Sequence, residues 1–283
     1  MSIPAAIVRD RTGLQTLVDS WKADGATVGI VPTMGALHKG HLSLVDTMGR
    51  HADKTLVSIF VNPTQFGPNE DFDAYPRDEA GDLAALADTP ADAVYIPDRR
   101  DMYPDGFDTA IRVGAIADRL EGASRPGHFD GVATIVAKLI LTARADYAIF
   151  GEKDYQQLCV IRHMAADLNL PVTILGGTTV REDDGLASSS RNRYFDTESR
   201  PKAAGLNRAL RDLTVDIRNG LDVTAACAKA EQSILSAGFA SVDYVAVADA
   251  ETLAPLTTPG ARPGRVLAAA RLHGVRLIDN LPL

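Results

Sequence analysis

Two histidines, His38 and His41, stand three residues apart around a glycine in the segment Pro32–His41. The apolar run before the turn, residues 28–31, is typical of a strand buried on both faces, and a helical pattern begins at about Gly40. Free N–H groups at a helix start attract anions, and a glycine lets a phosphate approach the main chain. Imidazoles can donate to phosphate oxygens without the bulk of arginine. This H-x-G-H pattern therefore predicts a nucleotide site built for chemistry at the α-phosphate.

A single histidine near a helix start more often caps the helix or lies on the surface than takes part in catalysis. Two of them at one glycine-bearing turn favour the phosphate site over that alternative. A zinc site on His38 and His41 is less favoured, because the other histidines are scattered and neither Cys159 nor Cys227 stands at ligand spacing. We therefore expect no metal ion held by the protein alone.

The composition excludes several classes of protein. A formal net charge of −8 over 283 residues argues against a general nucleic-acid binder but leaves room for a basic pocket. Two cysteines do not suggest a disulfide framework, which fits a reducing compartment. The N-terminus lacks a signal-peptide pattern, and no apolar run approaches the roughly 20 residues that span a bilayer. We expect a cytoplasmic protein without a membrane or nucleic-acid partner.

Short apolar runs alternate with helical patterns through the first two-thirds of the chain. The predicted strands are 27–31, 56–61, 93–96, 147–150 and 172–175, and the helical windows are 14–23, 41–51, 78–86, 131–141 and 155–168. This alternation predicts an α/β fold with a Rossmann-like doubly wound parallel sheet in a first domain, residues 1–182. Such sheets bind ligands at the carboxyl ends of their strands, where the topology reverses. A dinucleotide site is not predicted, because no G-x-G-x-x-G pattern is present.

The pattern changes after about Arg181. A polar segment, 182–192, is typical of a mobile loop and domain junction. Helical windows at 198–217 and 224–237 precede strand-like runs at 242–248, 264–271 and 274–279. Helices followed by strands predict a smaller α+β domain with an antiparallel sheet over residues 183–283.

Amide side chains follow the second predicted strand in the segment Phe60–Phe66. Gln65 can donate and accept hydrogen bonds, which suits a substrate with hydroxyl and carbonyl groups, and Asn62 is a possible second contact. A turn with solvated amides explains the segment equally well. Further along, Arg125 and His128 stand in a loop that feeds a helix, where they could face an anion. A surface turn is again an equal alternative.

The segment Gly151–Asp154 follows an apolar strand and opens a helix, so it predicts a second anion site with a lysine for phosphate. Of Gln156 and Gln157, one can face the cleft. By itself such a segment is common at exposed helix caps, and its placement opposite the histidine turn favours the site. A third motif, Ser188–Arg193, offers hydroxyl and guanidinium groups that can close over a triphosphate, although a serine-rich linker or cap is the commoner explanation.

Taken together, these motifs resemble the pantoate–β-alanine ligase family. The segments 32–41, 60–66, 125–132, 150–157 and 184–193 stand in the order and at about the spacings of that family. H-x-G-H alone would indicate only the wider nucleotidyltransferase superfamily. The resemblance implies a two-step ligase in which (R)-pantoate attacks the α-phosphate of ATP and the amine of β-alanine then displaces AMP. It also implies a homodimer.

The resemblance assigns a role to each matching residue. His41 is the implied catalytic histidine, with His38, Lys153 and Arg191 on the phosphates. Gln65 and Gln157 would hold pantoate, with Gln65 also near β-alanine. Ser188 departs from the methionine or leucine usual at its position. The implied ATP site comprises Met34, Gly35, Ala36, Leu37, His38, Lys39, Gly40, His41, Gly151, Glu152, Lys153, Asp154, Val180, Ser188, Ser189, Ser190 and Arg191.

Two other functions compete with this one. An adenylyltransferase would move AMP onto a substrate bearing a phosphate, but Asn62, Gln65 and Gln157 are neutral where such a substrate calls for arginines. A nucleotide sensor without catalysis would not require His38, His41, Lys153 and Arg191 together. Because ATP brings several negative charges into an acidic protein, we expect Mg²⁺ to accompany it, bound mainly through phosphate oxygens.

Overall fold

The computed structural model describes residues 5–68, 70–258, 260 and 262–283. Six parallel strands form the main sheet in the order β1-β4-β3-β2-β5-β6. From β2 the chain builds outward through β3 and β4, and it then returns to place β5 and β6 on the other side of β2. The switch point therefore lies between β2 and β5. The strands are β1 Ala6–Val8, β2 Val28–Thr33, β3 Lys54–Ile59, β4 Ala93–Tyr95, β5 Tyr147–Gly151 and β6 Thr173–Gly177.

Helices cover both faces of this sheet. One apolar cluster, with Leu14, Ile30 and Ile161 at its centre, buries the face under α1, α7 and α8, and a second, with Val31 and Met48, buries the face under α2 and α3. Turns of 3-10 helix span Pro63–Gln65 and Glu152–Asp154. The helices are α1 Arg11–Ala23, α2 Lys39–Met48, α3 Glu79–Leu86, α4 Arg99–Met102, α5 Gly114–Ala117, α6 Glu121–Ser124, α7 His128–Ala143 and α8 Tyr155–Asp167.

The last third of the chain forms an antiparallel sheet with helices packed on it. Strands β7, β8 and β9 pair in sequence order, with Ala268 opposite Asp279 across β8 and β9. A separate apolar cluster, which includes Leu210 and Val266, joins the helices to this sheet. Its elements are a 3-10 turn Ser190–Tyr194, α9 Arg200–Ala203, α10 Gly205–Arg218, α11 Val223–Ser236, β7 Ser241–Asp249, β8 Gly264–Leu272 and β9 Val275–Pro282.

The predicted fold class is confirmed, with each predicted strand observed to within a few residues. Strand β1 was missed because it is three residues long, half exposed and at the sheet edge, so it carries no buried apolar run. The short helices α4, α5 and α6 were missed because four residues each are too few to show a helical period. The window 198–217 is two helices, α9 and α10. Among the helices that the structure describes, none is long and apolar enough to cross a membrane.

Candidate active site

A cavity of about 200 Å³ opens at the carboxyl ends of β2, β3 and β5, beside the switch point. This is where a doubly wound sheet places its ligands. One wall is the apolar face of α7, and the others carry most of the residues singled out from the sequence. Those lining residues are Met34, His38, Gly40, His41, Asn62, Gln65, Gly151, Lys153, Asp154, Gln157, Val180, Ser188, Ser189, Ser190 and Arg191.

The turn between β2 and α2 is held by a buried carboxylate that the sequence did not reveal. Gly35 and Ala36 both have positive φ, +79° and +50°, a conformation that L-residues other than glycine adopt rarely. Asp82 of α3, 4% exposed, accepts hydrogen bonds from the Ala36 amide at 3.0 Å and the Leu37 amide at 2.7 Å. These amides therefore point to Asp82. In sequence, Asp82 looks like any acidic residue on a surface helix.

His38 is both a helix cap and a cavity residue. It is the N-cap of α2, and its Nδ1 accepts a hydrogen bond from the Gly40 amide at 3.1 Å. Because Nδ1 is the acceptor, the proton of a neutral ring lies on Nε2, which is free to donate. The capping role and the predicted phosphate role thus use different ring nitrogens.

The His41 ring lies against His38, with the ring centroids 4.1 Å apart. Within the described part of the chain, His41 Nδ1 is buried without a hydrogen-bond partner. Burial, reinforced by the neighbouring His38, lowers the pKa of His41 to about 3. Burial and the nearby Lys153 ammonium lower the pKa of His38 to about 4. Both imidazoles are therefore neutral at pH 7 and act as hydrogen-bond groups without a charge.

Asn62 holds Gln65 in place. Its Nδ2 donates to Gln65 Oε1 at 3.0 Å and to the Gly131 carbonyl at 3.2 Å, and its Oδ1 accepts from Tyr103 at 2.7 Å. Asn62 is 1% exposed, and both its amide nitrogen and its amide oxygen are hydrogen-bonded within the protein. Its role is therefore to position Gln65 rather than to contact a substrate. The Gln65 Nε2 donates to the Met34 sulfur at 3.0 Å, at the cavity wall.

Arg125 and His128 hold the same turn from the other side. The Arg125 guanidinium forms a two-point ion pair with Glu70, with both contacts at 2.6 Å. His128 Nδ1 donates to the Gln65 carbonyl at 2.7 Å, and its Nε2 accepts from Arg125 at 3.0 Å. Burial and the Arg125 charge lower the pKa of His128 to about 4. The sequence suggested an anion in front of this pair, whereas the structure uses both side chains to fix the Gln65 backbone, in an adjoining cavity.

The turn after β5 divides its side chains between two directions. Lys153 and Asp154 line the cavity, whereas the Glu152 carboxylate accepts from Arg265 of β8 at 3.2 Å. On α8, Gln157 faces the cavity. Its neighbour Gln156 is 3% exposed and bound to backbone groups of the segment 116–121. The expectation that one glutamine of the pair faces the cleft is met by Gln157.

The serine-rich segment folds over the open side of the cavity. The Ser188 amide donates to the Val180 carbonyl at 2.9 Å, and the Ser188 hydroxyl donates to Glu182 at 2.7 Å. Arg191, largely buried, pairs with Asp71 at 3.1 Å, so its guanidinium is held at the cavity wall. Mobility of this loop stays a prediction.

Some residues of the implied ATP site lie outside the cavity lining. The Lys39 side chain is 79% exposed, and the remaining members of this group are Gly35, Ala36, Leu37 and Glu152. Conversely, the lining includes residues that the sequence did not single out, among them Tyr75, Thr178 and Thr179. The last two follow β6, and their position after a predicted strand was the one available signal.

The sequence and the fold both match a known family. The family model for pantoate-beta-alanine ligase matches residues 6–282. The chain belongs to the pantoate–β-alanine ligase family. A pantothenate synthetase of Sphingopyxis alaskensis is 53% identical over 277 residues, 98% of this chain and 99% of the relative. Another, from Cereibacter sphaeroides, is 52% identical with the same coverage.

Solved structures agree with these relatives. The crystal structure of pantothenate synthetase from Thermus thermophilus has a TM-score of 0.92 and 44% identity, with 98% of each chain covered. The pantoate-beta-alanine ligase from Francisella tularensis, in a crystal structure described as complexed with beta-gamma ATP and beta-alanine, has a TM-score of 0.83 and 33% identity, covering 98% of this chain and 97% of that one. The chain is thus an enzyme of the pantoate–β-alanine ligase class.

Proposed function

We propose that this ligase condenses (R)-pantoate with β-alanine at the cavity beside the switch point, using ATP and passing through pantoyl adenylate. The observation that carries the proposal is the meeting of two kinds of group in one cavity. The uncharged His38 and His41 and the cations of Lys153 and Arg191 suit a polyphosphate, and the amides of Gln65 and Gln157 suit a hydroxy acid.

In the first step a pantoate carboxylate oxygen attacks the α-phosphorus, and the bond from that phosphorus to the bridging oxygen breaks as pyrophosphate leaves. A carboxylate needs no base at neutral pH, so the requirement is stabilisation of developing charge. His41 donates to the phosphoryl oxygens as charge accumulates there, and His38 Nε2 donates to a neighbouring phosphate. Lys153 and Arg191 offset the charge of the leaving pyrophosphate.

In the second step the neutral amine of β-alanine attacks the acyl carbon, the bond from that carbon to the AMP oxygen breaks so that AMP leaves, and the amine nitrogen passes one proton to water. Gln65 is placed to orient both the acyl group and the amine, because Asn62 fixes its amide. Gln157 holds the pantoate. The products are pantothenate and AMP.

The nucleotide is proposed to lie along the cavity from β5 to the serine-rich segment. Gly151, Lys153 and Asp154 would bind ribose and phosphate, Val180 the adenine, and 188–191 the phosphates. These residues share one lining, which supports the assignment. The Francisella tularensis neighbour, complexed with beta-gamma ATP and beta-alanine, supports a nucleotide and an amine substrate in one enzyme.

A magnesium ion is proposed to accompany ATP. Among the described residues no three histidine, cysteine, aspartate or glutamate side chains are grouped as a metal cage. A cavity with few carboxylates can still take part in binding Mg²⁺, because this ion keeps much of its water and binds phosphate oxygens with few protein carboxylates. Asp154 is the lining carboxylate that would meet it. When bound, the ion neutralises phosphate charge.

Two broader assignments complete the proposal. Cytoplasmic location is supported by two free cysteines, Cys159 and Cys227, as expected in a reducing compartment. A homodimer is supported by the resemblance to the family.

The test is exchange of labelled pyrophosphate into ATP with pantoate present and β-alanine absent. We expect exchange that depends on pantoate and is lost in excess EDTA. Exchange without pantoate would contradict pantoate as the activated acid, and no exchange under any condition would contradict the adenylate route. Full exchange in EDTA would contradict the metal.

A further inference from the structure

Two neighbouring residues of the last strand, Asp279 and Asn280, reach out of the small sheet to the walls of the proposed nucleotide site. Both are buried, at 4% and 3% exposed. Neither lines the nucleotide cavity itself. Their side chains instead bind the main-chain turn and the arginine that stand directly behind two of its walls.

Asn280 binds the turn that presents Lys153. Its Nδ2 donates to the carbonyls of Glu152 and Lys153, each at 2.9 Å, so both of its N–H groups are used on successive peptide units. Its Oδ1 accepts from Arg265 Nε at 2.7 Å. The same guanidinium contacts the Glu152 carboxylate at 3.2 Å and lies over the Tyr155 ring, 3.8 Å from its centre. The turn is thus held on its backbone, its acidic side chain and the first residue of α8.

Asp279 binds Arg181, which stands next to the second wall, the segment after β6. Its two carboxylate oxygens accept from the two terminal nitrogens of Arg181, at 2.8 Å and 2.9 Å, and Asn207 Nδ2 donates to it at 3.0 Å. Arg181 directly follows Val180, which lines the cavity. One strand of the small domain therefore holds both the β5 turn and the segment after β6.

We propose that Asn280 is a positioning residue for Lys153, and Asp279 for the Val180 segment, so that the small domain sets the distance between the two walls of the nucleotide site. The inference rests on the proposed function of Lys153. The physical reason is that Asn280 fixes the peptide unit from which the Lys153 side chain extends. Displacements of about 1 Å at such a group can cost a hundredfold in rate.

The test is pyrophosphate exchange by Asn280→Asp, Lys153→Ala and the double variant. The aspartate keeps the acceptor for Arg265 but turns an oxygen toward two carbonyl oxygens, so the turn is pushed away. We expect kcat to fall about 10–100-fold, with KM for pantoate within twofold of the wild type. Asn219→Asp, the same change at the exposed C-cap of α10, is the control and should stay within twofold. Asn280→Ser, which shortens the donor without adding charge, replaces Asn280→Asp if that variant does not fold.

The double variant separates positioning through Lys153 from a general structural role. If Asn280 acts through Lys153, the double variant is no slower than Lys153→Ala, because there is no side chain left to position. Losses that multiply would overturn the inference, as would wild-type exchange in Asn280→Asp. Wild-type exchange in Lys153→Ala would instead contradict the proposed function of Lys153, and a slow Lys153→Ala beside a fast Asn280→Asp would contradict the inference alone.

Discussion

At the scale of single residues, burial decides what the histidine pair can do. Burial keeps His38 and His41 neutral, helped by the Lys153 charge near His38 and by His38 near His41, and lowers their pKa values to about 4 and about 3. A neutral ring still donates one hydrogen bond, and it does so without the cost of burying a charge. The chemistry attributed to this site therefore needs oriented N–H groups more than a proton acceptor.

The same buried histidines make the fold less stable as the pH falls. His38, His41 and His128 titrate near 6.5 when unfolded and at about 4, about 3 and about 4 when folded. Between these values the unfolded chain binds more protons, so the free energy of unfolding decreases as pH drops from about 6.5 to about 4. Each histidine contributes up to about 1.4 kcal/mol per pH unit.

Urea unfolding at pH 7 and pH 5 measures this change in the free energy of unfolding, and His128→Gln should show a weaker pH dependence. An unchanged dependence in that variant would contradict the low pKa of His128.

Gln156 and Gln157 form a matched pair with opposite expected effects. Gln156→Ala leaves the partners of three hydrogen bonds unsatisfied, two of them buried, so the free energy of unfolding should fall by about 2 kcal/mol or more, with KM for pantoate near the wild-type value. Gln157→Ala should raise KM for pantoate about tenfold, at about 1 kcal/mol for each neutral hydrogen bond lost, while stability is kept. Urea unfolding and steady-state kinetics on both variants test this. The reverse assignment of effects would show that the wrong glutamine faces the substrate.

At the scale of elements, the site is a set of turns whose conformations are held by contacts with neighbouring helices and strands. The turn after β3 is an example, since α7 packs directly on it. A Cβ added at Gly131 would lie 2.3 Å from the Thr64 carbonyl oxygen and 2.8 Å from the Gln65 amide nitrogen. Glycine inside a helix is costly by about 1 kcal/mol, and here it permits the contact that seats Gln65.

Gly131→Ala should therefore weaken substrate binding even though alanine favours the helix. We expect KM for pantoate to rise about tenfold as the Gln65 turn is displaced. Gly114→Ala is the control, because a Cβ at the start of α5 meets no atom within 4 Å. Steady-state kinetics on both variants decide the matter. Equal KM values in Gly131→Ala and the wild type would mean that the turn is not seated by this contact.

The sequence predicted the strands and turns that carry local patterns, because a run of apolar residues followed by a glycine can be recognised in consecutive residues. It therefore located the turns after β2 and β5, and the structure adds that the switch point lies between these two strands. It could not predict contacts between residues far apart in the chain. The Asp82 bond to the histidine turn, the Glu70–Arg125 pair and the bond from Asn280 to the Lys153 carbonyl all join separate elements. Nothing local distinguishes Asp82, Glu70 or Asn280 from surface residues.

At the scale of the whole molecule, the last third of the chain is joined to the main sheet by both apolar and polar contacts. Ala248, Leu253 and Leu267 belong to the apolar cluster under α1, α7 and α8. The apolar cluster of the small sheet begins at Leu186 and excludes the first part of the chain, which supports our proposed boundary between 1–182 and 183–283. Ion pairs and hydrogen bonds cross that boundary, among them Arg276–Glu121, Arg265–Glu152 and Arg181–Asp279. The last two of these pairs lie next to Lys153 and Val180, which line the proposed nucleotide site.

The proposed homodimer is a property of the same scale. Sedimentation velocity at micromolar concentration should give twice the 30.1 kDa mass of one chain. A monomer at that concentration would contradict the dimer and leave the proposed chemistry untouched.

We propose that His41, kept neutral by burial, acts at the phosphoryl centre. Its most direct test is single-turnover kinetics of His41→Ala, started from ATP and pantoate and compared with turnover of supplied pantoyl adenylate and β-alanine. His51→Ala, which alters an exposed histidine just beyond the end of α2, is the control. We expect adenylate formation to slow by about 10²–10³, the cost of losing one preorganised donor, and the second step to slow much less, because attack there is on carbon. Equal losses in both steps would contradict the claim.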